Sequence, residues 1–213
     1  MKTLNAKKIG RNRSAGFTII ELVVVILLLG ILAATALPRF IDVTDEAYTA
    51  VTEGVYGGLA TGVGLFRAQW VANGQVSQAA VTGFGDGTGF AGNSTAGNGY
   101  PIGADALFQT SASTTDCSEI WTDLLQGGRP TLVSATATTT TTTAREAAVE
   151  AVATTAFDWV ALSDNTDDAK TGCLYYYTAR YQSGNTTTPR TIPFISYLAT
   201  TGEVALSEQV FNK

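Results

Sequence analysis

Glu21 is the residue whose placement most plainly asks for chemistry. It is the one charged side chain in the apolar run Phe17–Leu37, FTIIELVVVILLLGILAATAL. A charge near the centre of a membrane helix costs about 2.5–3.5 kcal/mol on insertion scales, so the carboxylate needs a cation. A cut between Gly16 and Phe17 would create a free amine at Phe17, about one helical turn from Glu21. When such helices bundle, the amine of a neighbouring copy is a suitable partner, and Glu21 becomes a docking register.

Other reactive groups offer less. The chain has no His, which removes the imidazole of Ser or Cys triads, of His-based metal sites and of pH switches. Cys117 and Cys173 are too few for a zinc cluster and too far apart for a CxxC redox motif. A structural disulfide is the economical reading, with two buried thiols as the alternative. Asp164, Asn165, Asp167 and Asp168 crowd one loop and are weak calcium candidates, set against a plain solvated turn because EF-hand spacing is absent. The GxG fragments of residues 82–103 lack the strand before, the helix after and the Lys-Ser/Thr of a phosphate-binding loop. Tyr175, Tyr176, Tyr177 and Tyr181 suggest a carbohydrate platform less than core packing on one face and cross-strand pairing on the other. No cofactor and no enzymatic activity are expected.

The elements that position these groups follow from hydropathy and charge. Phe17–Leu37 as a helix reaches roughly 30 Å, the thickness of a bilayer's hydrocarbon core. Lys2, Lys7, Lys8, Arg11 and Arg13 precede it, leaving eight basic against eighteen acidic side chains in the rest, a balance of −10. The positive-inside rule places residues 1–16, a basic leader, in the cytoplasm and the acidic body outside. That acidity also argues against nucleic-acid binding. A competing reading is a secretory signal cut after Ala36 in Ala34-Thr35-Ala36; the length of the apolar run and the presence of Glu21 argue against it. Gly30 and Pro38 make Gly30–Pro38 the softest part of the helix, by weak propensity and by a missing N–H.

Gly16-Phe17-Thr18-Ile19-Ile20-Glu21, with a short basic leader before it and a Leu/Val/Ile stretch after it, resembles the cleavage motif of type IV prepilins and related pseudopilins. The resemblance implies cleavage at Gly16 by a prepilin peptidase, N-methylation of Phe17 by the same enzyme, and retention of 17–38 as a transmembrane and polymerisation helix. It implies self-association into a helical homopolymer, with an inner-membrane platform protein, an assembly ATPase and a secretin as indirect partners. The subunit would be a single-pass inner-membrane protein before assembly, its head periplasmic, and extracellular afterwards. Gly30 and Pro38 match positions where the pilin helix carries Gly and Pro and is thought to loosen on assembly.

Beyond Pro38, residues 39–74 read as an amphipathic helix with Ala47, Val51, Val55, Leu59, Val63, Phe66 and Trp70 as its apolar stripe. Gly54, Gly57, Gly58, Gly62 and Gly64 would allow close backbone approach. Residues 75–213 form the head, with a glycine-rich loop at 82–103 and a Thr-rich insertion at 131–156. Asp116–Leu125 reads as a short helix with Ser118 as a cap, and Arg145–Thr154 as another. Thr136–Ala144 reads as exposed edge or loop, open to O-glycans, while the N-x-Ser/Thr matches at Asn93 and Asn185 read as chance. Phe157–Leu162, Cys173–Tyr181, Thr191–Ala199 and Val204–Leu206 read as a meander of about four antiparallel strands needing a helix over one face.

The expected class is α+β, the type IV pilin fold. Cys117-x-x-x-Trp121, Cys173-Leu174-Tyr175-Tyr176-Tyr177, Ile195-Ser196-Tyr197 and Gly202-Glu203-Val204 are similar to pilins of the mannose-sensitive haemagglutinin type, from which the Thr-rich insertion departs. That similarity implies a structural pilus subunit for adhesion or motility. A pseudopilin of a type II secretion system is the alternative.

Overall fold

The computed structural model describes residues 16–74, 81, 99–102, 113–125, 129–136, 141–152, 157–164, 172–179 and 190–211, with the side chains of 37–45 excepted. The leader, most of the glycine-rich loop, residues 137–140, Asn165, Asp167, Asp168, both N-x-Ser/Thr matches and Tyr181 lie outside these residues. The chain divides into two compact units, Met1–Ala47 and Tyr48–Lys213. In the first, helix α1 (Ile19–Ala72, shared with the second) remains helical through both Gly30 and Pro38.

In the second unit the remainder of α1 is followed by α2 (Thr114–Leu124), β1 (Leu132–Ser134), α3 (Thr142–Val152), β2 (Trp159–Asp164), β3 (Gly172–Tyr177), β4 (Arg190–Leu198) and β5 (Glu203–Phe211). The strands form one sheet in the order β1-β2-β3-β4-β5. β2 to β5 are the antiparallel meander expected from the sequence. β5 runs to Phe211, well past the expected Leu206, because it pairs along the whole length of β4.

A fifth strand joins them. β1 pairs parallel to β2, with Leu132 opposite Trp159 and Ser134 opposite Ala161. Parallel neighbours need a crossover, and α3 lies in it, so the Thr-rich segment builds a β-α-β unit rather than an idle insertion. Thr142 and Thr143 are helical, not extended: Thr141 Oγ1 accepts the Ala144 N–H at 3.3 Å, the N-cap role for which threonine is suited.

Period-two alternation gives the sheet two apolar faces, and both are covered. Trp159, Ala161, Cys173, Tyr175, Tyr177, Ile195 and Tyr197 pack with Leu59, Val63, Phe66 and Trp70 of α1 and with Ile120, Trp121 and Leu124 of α2. On the other face Val160, Leu162, Leu174, Tyr176, Ile192 and Phe211 pack with Val149 of α3. The expectation of one covered face is therefore extended by α3, held also by the Arg145–Asp164 ion pair at 2.6 Å.

Two local readings are corrected. The buried stripe of α1 enters the core through Tyr48, Thr52 and Val55, whereas Ala47 and Val51 are exposed. Thr52 can be buried because its hydroxyl donates to the Thr49 carbonyl at 2.8 Å. Helix α2 begins earlier than expected and its cap is Ser113, not Ser118. The Ser113 Oγ accepts the Asp116 N–H at 3.1 Å while the Asp116 carboxylate accepts the Ser113 N–H at 2.9 Å, a capping box. Ser118 lies within the helix, where its hydroxyl donates to the Thr114 carbonyl. Gly58 and Gly62 do provide close approach, since a Cβ on either would press on Leu125 or Leu124; Gly54, Gly57 and Gly64 meet nothing within 4 Å.

The Cys117–Cys173 disulfide joins α2 to β3 across 56 residues of sequence, at a Cα–Cα distance of 5.5 Å. Beside it Trp121 contacts both Trp159 and Tyr175, with ring centroids 5.1 and 4.9 Å away. The buried phenols are satisfied: Tyr175 donates to the Cys117 carbonyl at 2.8 Å, Tyr197 to the Pro101 carbonyl at 2.7 Å, and Tyr176 to Gln209 Oε1 at 2.7 Å.

Reduction, or replacement of both cysteines by Ser, is expected to destabilise the head by about 4 kcal/mol in the chain-entropy account. Calorimetry should read this as a melting temperature lower by roughly 10 °C; identical melting with and without reductant would remove the bridge from the account of stability. Burial pushes Tyr175 and Tyr197 well above their usual value, and Tyr176 up to about 12 despite the opposing pull of Arg145. The fold thus keeps these phenols protonated where the unfolded chain, with tyrosine near about pH 10, has ionised them. Stability is full below about pH 10 and falls as the pH rises through the folded values. Absorbance titration at alkaline pH should show these tyrosines ionising late and together with unfolding, and simple ionisation of all of them near pH ~10 would contradict their burial.

Candidate functional site

The first turn of α1 is built around Glu21. Thr18 occupies the N-cap position and Glu21 the third helical position. The Thr18 N–H and the Thr18 hydroxyl both donate to Glu21 Oε2, each at 2.9 Å, and the Glu21 N–H donates back to Thr18 Oγ1 at 3.3 Å. This is a reciprocal capping box, which satisfies backbone donors that a helix start otherwise leaves unpaired. The negative carboxylate also sits at the positive end of the helix dipole. Gly16 and Phe17 lie immediately before the helix, and Phe17 is 93% exposed.

Sequence reasoning assigned Glu21 a role between chains and missed its role within one. The signal was present in Thr18-Ile19-Ile20-Glu21, the Ser/Thr-x-x-Glu pattern that precedes a helical apolar run. The box engages the Glu21 carboxylate through Oε2.

The helix that carries this turn has an apolar surface. Ile19–Ala36 is long and apolar enough to cross a membrane, with a mean hydropathy of 2.8 and none of it buried within the chain. Val23, the least exposed large apolar side chain between Phe17 and Leu32, is still 41% exposed. Gly30 meets nothing within 4 Å. At Pro38 the missing N–H deprives the Ala34 carbonyl of its helical partner, and a few residues earlier the Thr35 hydroxyl donates to the Leu32 carbonyl at 3.0 Å. Such a surface is stable in lipid or against other apolar helices, and costly in water.

Of the remaining candidates, Cys117 and Cys173 are joined in the disulfide. Asp164 ends β2 with its carboxylate on Arg145. Among the described residues there is no group of three or more metal-ligating side chains.

Residues 11–37 match the family described as the prokaryotic N-terminal methylation motif. The match includes Gly16, Phe17, Glu21 and Gly30, so the N-terminus is of the prepilin type. A stretch of 38 residues is 58% identical to the type IV narrow pilus major component PilA5 of Thermus thermophilus, covering 18% of this chain and 33% of that protein. A stretch of 57 residues is 35% identical to the type II secretion system core protein G of Pseudomonas aeruginosa, covering 27% of this chain and 40% of that protein. The chain thus spans a third to two fifths of the length of these relatives. No solved structure matches it.

Replacing Thr18 with Ala removes the hydroxyl from the capping box. In detergent micelles, amide exchange at Glu21 and Leu22 should then be about fivefold faster, the factor that an ordinary cap is worth. Unchanged exchange at both amides would show that the box does not hold the helix start.

Proposed function

We propose that this chain is the structural subunit of a type IV pilus resembling the mannose-sensitive haemagglutinin pilus. It is cut between Gly16 and Phe17 by a prepilin peptidase, methylated on the new Phe17 amine, and polymerised through Phe17–Pro38 into a surface filament for adhesion, attachment or motility. The observation that carries this reading is the fixed carboxylate at the start of an uncovered apolar helix. The capping box orients Glu21 by its own chain, and Oε1 is the oxygen that the Phe17 amine of a neighbouring copy takes as helices bundle. Within a bundle the pair is shielded from water, where removing either partner leaves an uncompensated charge.

In this reading the subunit waits as a single-pass inner-membrane protein, with residues 1–16 cytoplasmic and the head periplasmic. Gly30 and Pro38 let the helix loosen as the subunit leaves lipid for the filament. An inner-membrane platform protein, an assembly ATPase and a secretin act on it indirectly. The role is structural and calls for no catalytic residue.

A second reading keeps the architecture and changes the machine: a pseudopilin of a type II secretion system, favoured by the 35% identity to core protein G.

Mass spectrometry of the N-terminal peptide, in filaments sheared from cells and in the washed envelope, separates these readings. The pilus reading expects N-methylated Phe17 to be abundant in the sheared fraction. The same terminus confined to the envelope would favour the pseudopilin. A product starting at Leu37 would overturn both.

A further inference from the structure

Five aromatic side chains touch one after another through the head. Tyr175 meets Trp121 with ring centroids 4.9 Å apart, Trp121 meets Trp159 at 5.1 Å, Trp159 meets Tyr177 at 5.0 Å, and Tyr177 meets Tyr48 of α1 at 5.9 Å. Centroids at such separations belong to rings in contact. Core packing accounts for each contact, and the order of the rings adds a direction. The first four are buried, while Tyr48, the last, is half-buried and reaches the surface. The inner end lies at the disulfide: the Tyr175 hydroxyl donates to the Cys117 carbonyl at 2.8 Å, and Trp121 stands one turn of α2 beyond Cys117.

Indole and phenol give up an electron more readily than aliphatic side chains, and tunnelling weakens exponentially with the gap between donor and acceptor. A hole on one of these rings therefore moves along the row faster than it escapes sideways. Protons decide where it stops. An oxidised indole loses oxidising power when its Nε1 proton departs. Among the described residues Trp159 Nε1 is buried with no hydrogen-bond acceptor, and Trp121 Nε1 donates to the Pro130 carbonyl at 3.2 Å, too weak a base to take the proton. An oxidised phenol is likewise trapped as a neutral radical when its proton leaves. Tyr175 donates to a carbonyl in a fully buried setting. Burial, and after it the charge of Asp158, push the Tyr177 phenol up to about 12. The same negative charge draws a hole towards the Tyr177 end of the row. Of the five, Tyr48 has the access to water that lets its proton go.

We propose that this row discharges the head: an oxidising equivalent that reaches Trp121 or Trp159 leaves through Tyr177 and is fixed on Tyr48, the site of oxidative modification, so that the disulfide is spared. In the step, a diffusible oxidising radical takes one electron from an indole and becomes its anion. An electron from Tyr48 passes through Tyr177 and Trp159 to refill the indole. The Tyr48 hydroxyl proton goes to water, and a neutral phenoxyl radical remains. Discharge of this kind is independent of the machine that the subunit serves.

Pulse radiolysis of the full-length protein in micelles tests the route, with azide radical as the oxidant, since it attacks indole faster than phenol at neutral pH and ends as azide anion. Indolyl absorbance should decay as phenoxyl absorbance grows, at a first-order rate that does not change with protein concentration. Tyr48→Phe keeps the ring and removes the hydroxyl. It should lower the phenoxyl yield by at least half with Trp70 intact, and at least fivefold in a Trp70→Phe background, where Trp121 and Trp159 are the remaining indoles. Tyr56→Phe, which alters a partly buried tyrosine packed on the same core, should behave as wild type. Trp159→Phe should leave the Trp121 radical long-lived; should that variant fail to fold, Tyr48→Phe decides. Peptide mapping after steady oxidation should place the modification on Tyr48 in wild type and on Trp121 and Trp159 in Tyr48→Phe. An undiminished phenoxyl yield in Tyr48→Phe, an equal loss in Tyr56→Phe, or phenoxyl growth whose rate scales with protein concentration would overturn the proposal.

Discussion

An apolar helix with no cover in its own chain must find cover elsewhere, and this requirement organises the molecule. None of Ile19–Ala36 is buried within the chain. Lipid can meet the requirement, and so can a bundle of apolar helices. Glu21 makes the two environments unequal. In lipid its charge is a liability held in check by the Thr18 box, whereas surroundings that bring a cation to it would offset that cost. The carboxylate therefore favours surroundings that supply a cation over lipid, which supplies none.

The head serves a different requirement. Its sheet is closed on one face by α1 and α2 and on the other by α3. The helix that contains the apolar segment also supplies Leu59, Val63, Phe66 and Trp70 to the head core. The disulfide and the Trp121 cluster sit where α2, β2 and β3 converge.

What the sequence made legible depended on whether the signal was local. The prepilin-type N-terminus is written in consecutive residues, and the strands through Tyr175 and Ile195 carry dense β-forming side chains, so both could be read directly. β1 is three residues long, too short for a periodic signal, and its existence depends on pairing with Trp159–Ala161, remote in sequence. The threonines near α3 have strand propensity, yet Thr141 serves as a cap and tertiary packing of Val149 decides the outcome. The start of the α1 stripe was misplaced because Ala47 and Val51 look more apolar than Tyr48 and Thr52. Burial followed the helical period and the self-satisfied hydroxyl of Thr52. The Thr18–Glu21 box was legible as a pattern but hidden behind a more conspicuous role for the same carboxylate.

The bridge between Cys117 and Cys173 encloses the end of α2, β1, α3 and β2 within a covalent ring. A peptidase that cuts any single bond between those cysteines, including one in the threonine run, leaves both pieces of the subunit attached to each other. Such a chain can be nicked without being severed, and the head keeps its covalent continuity.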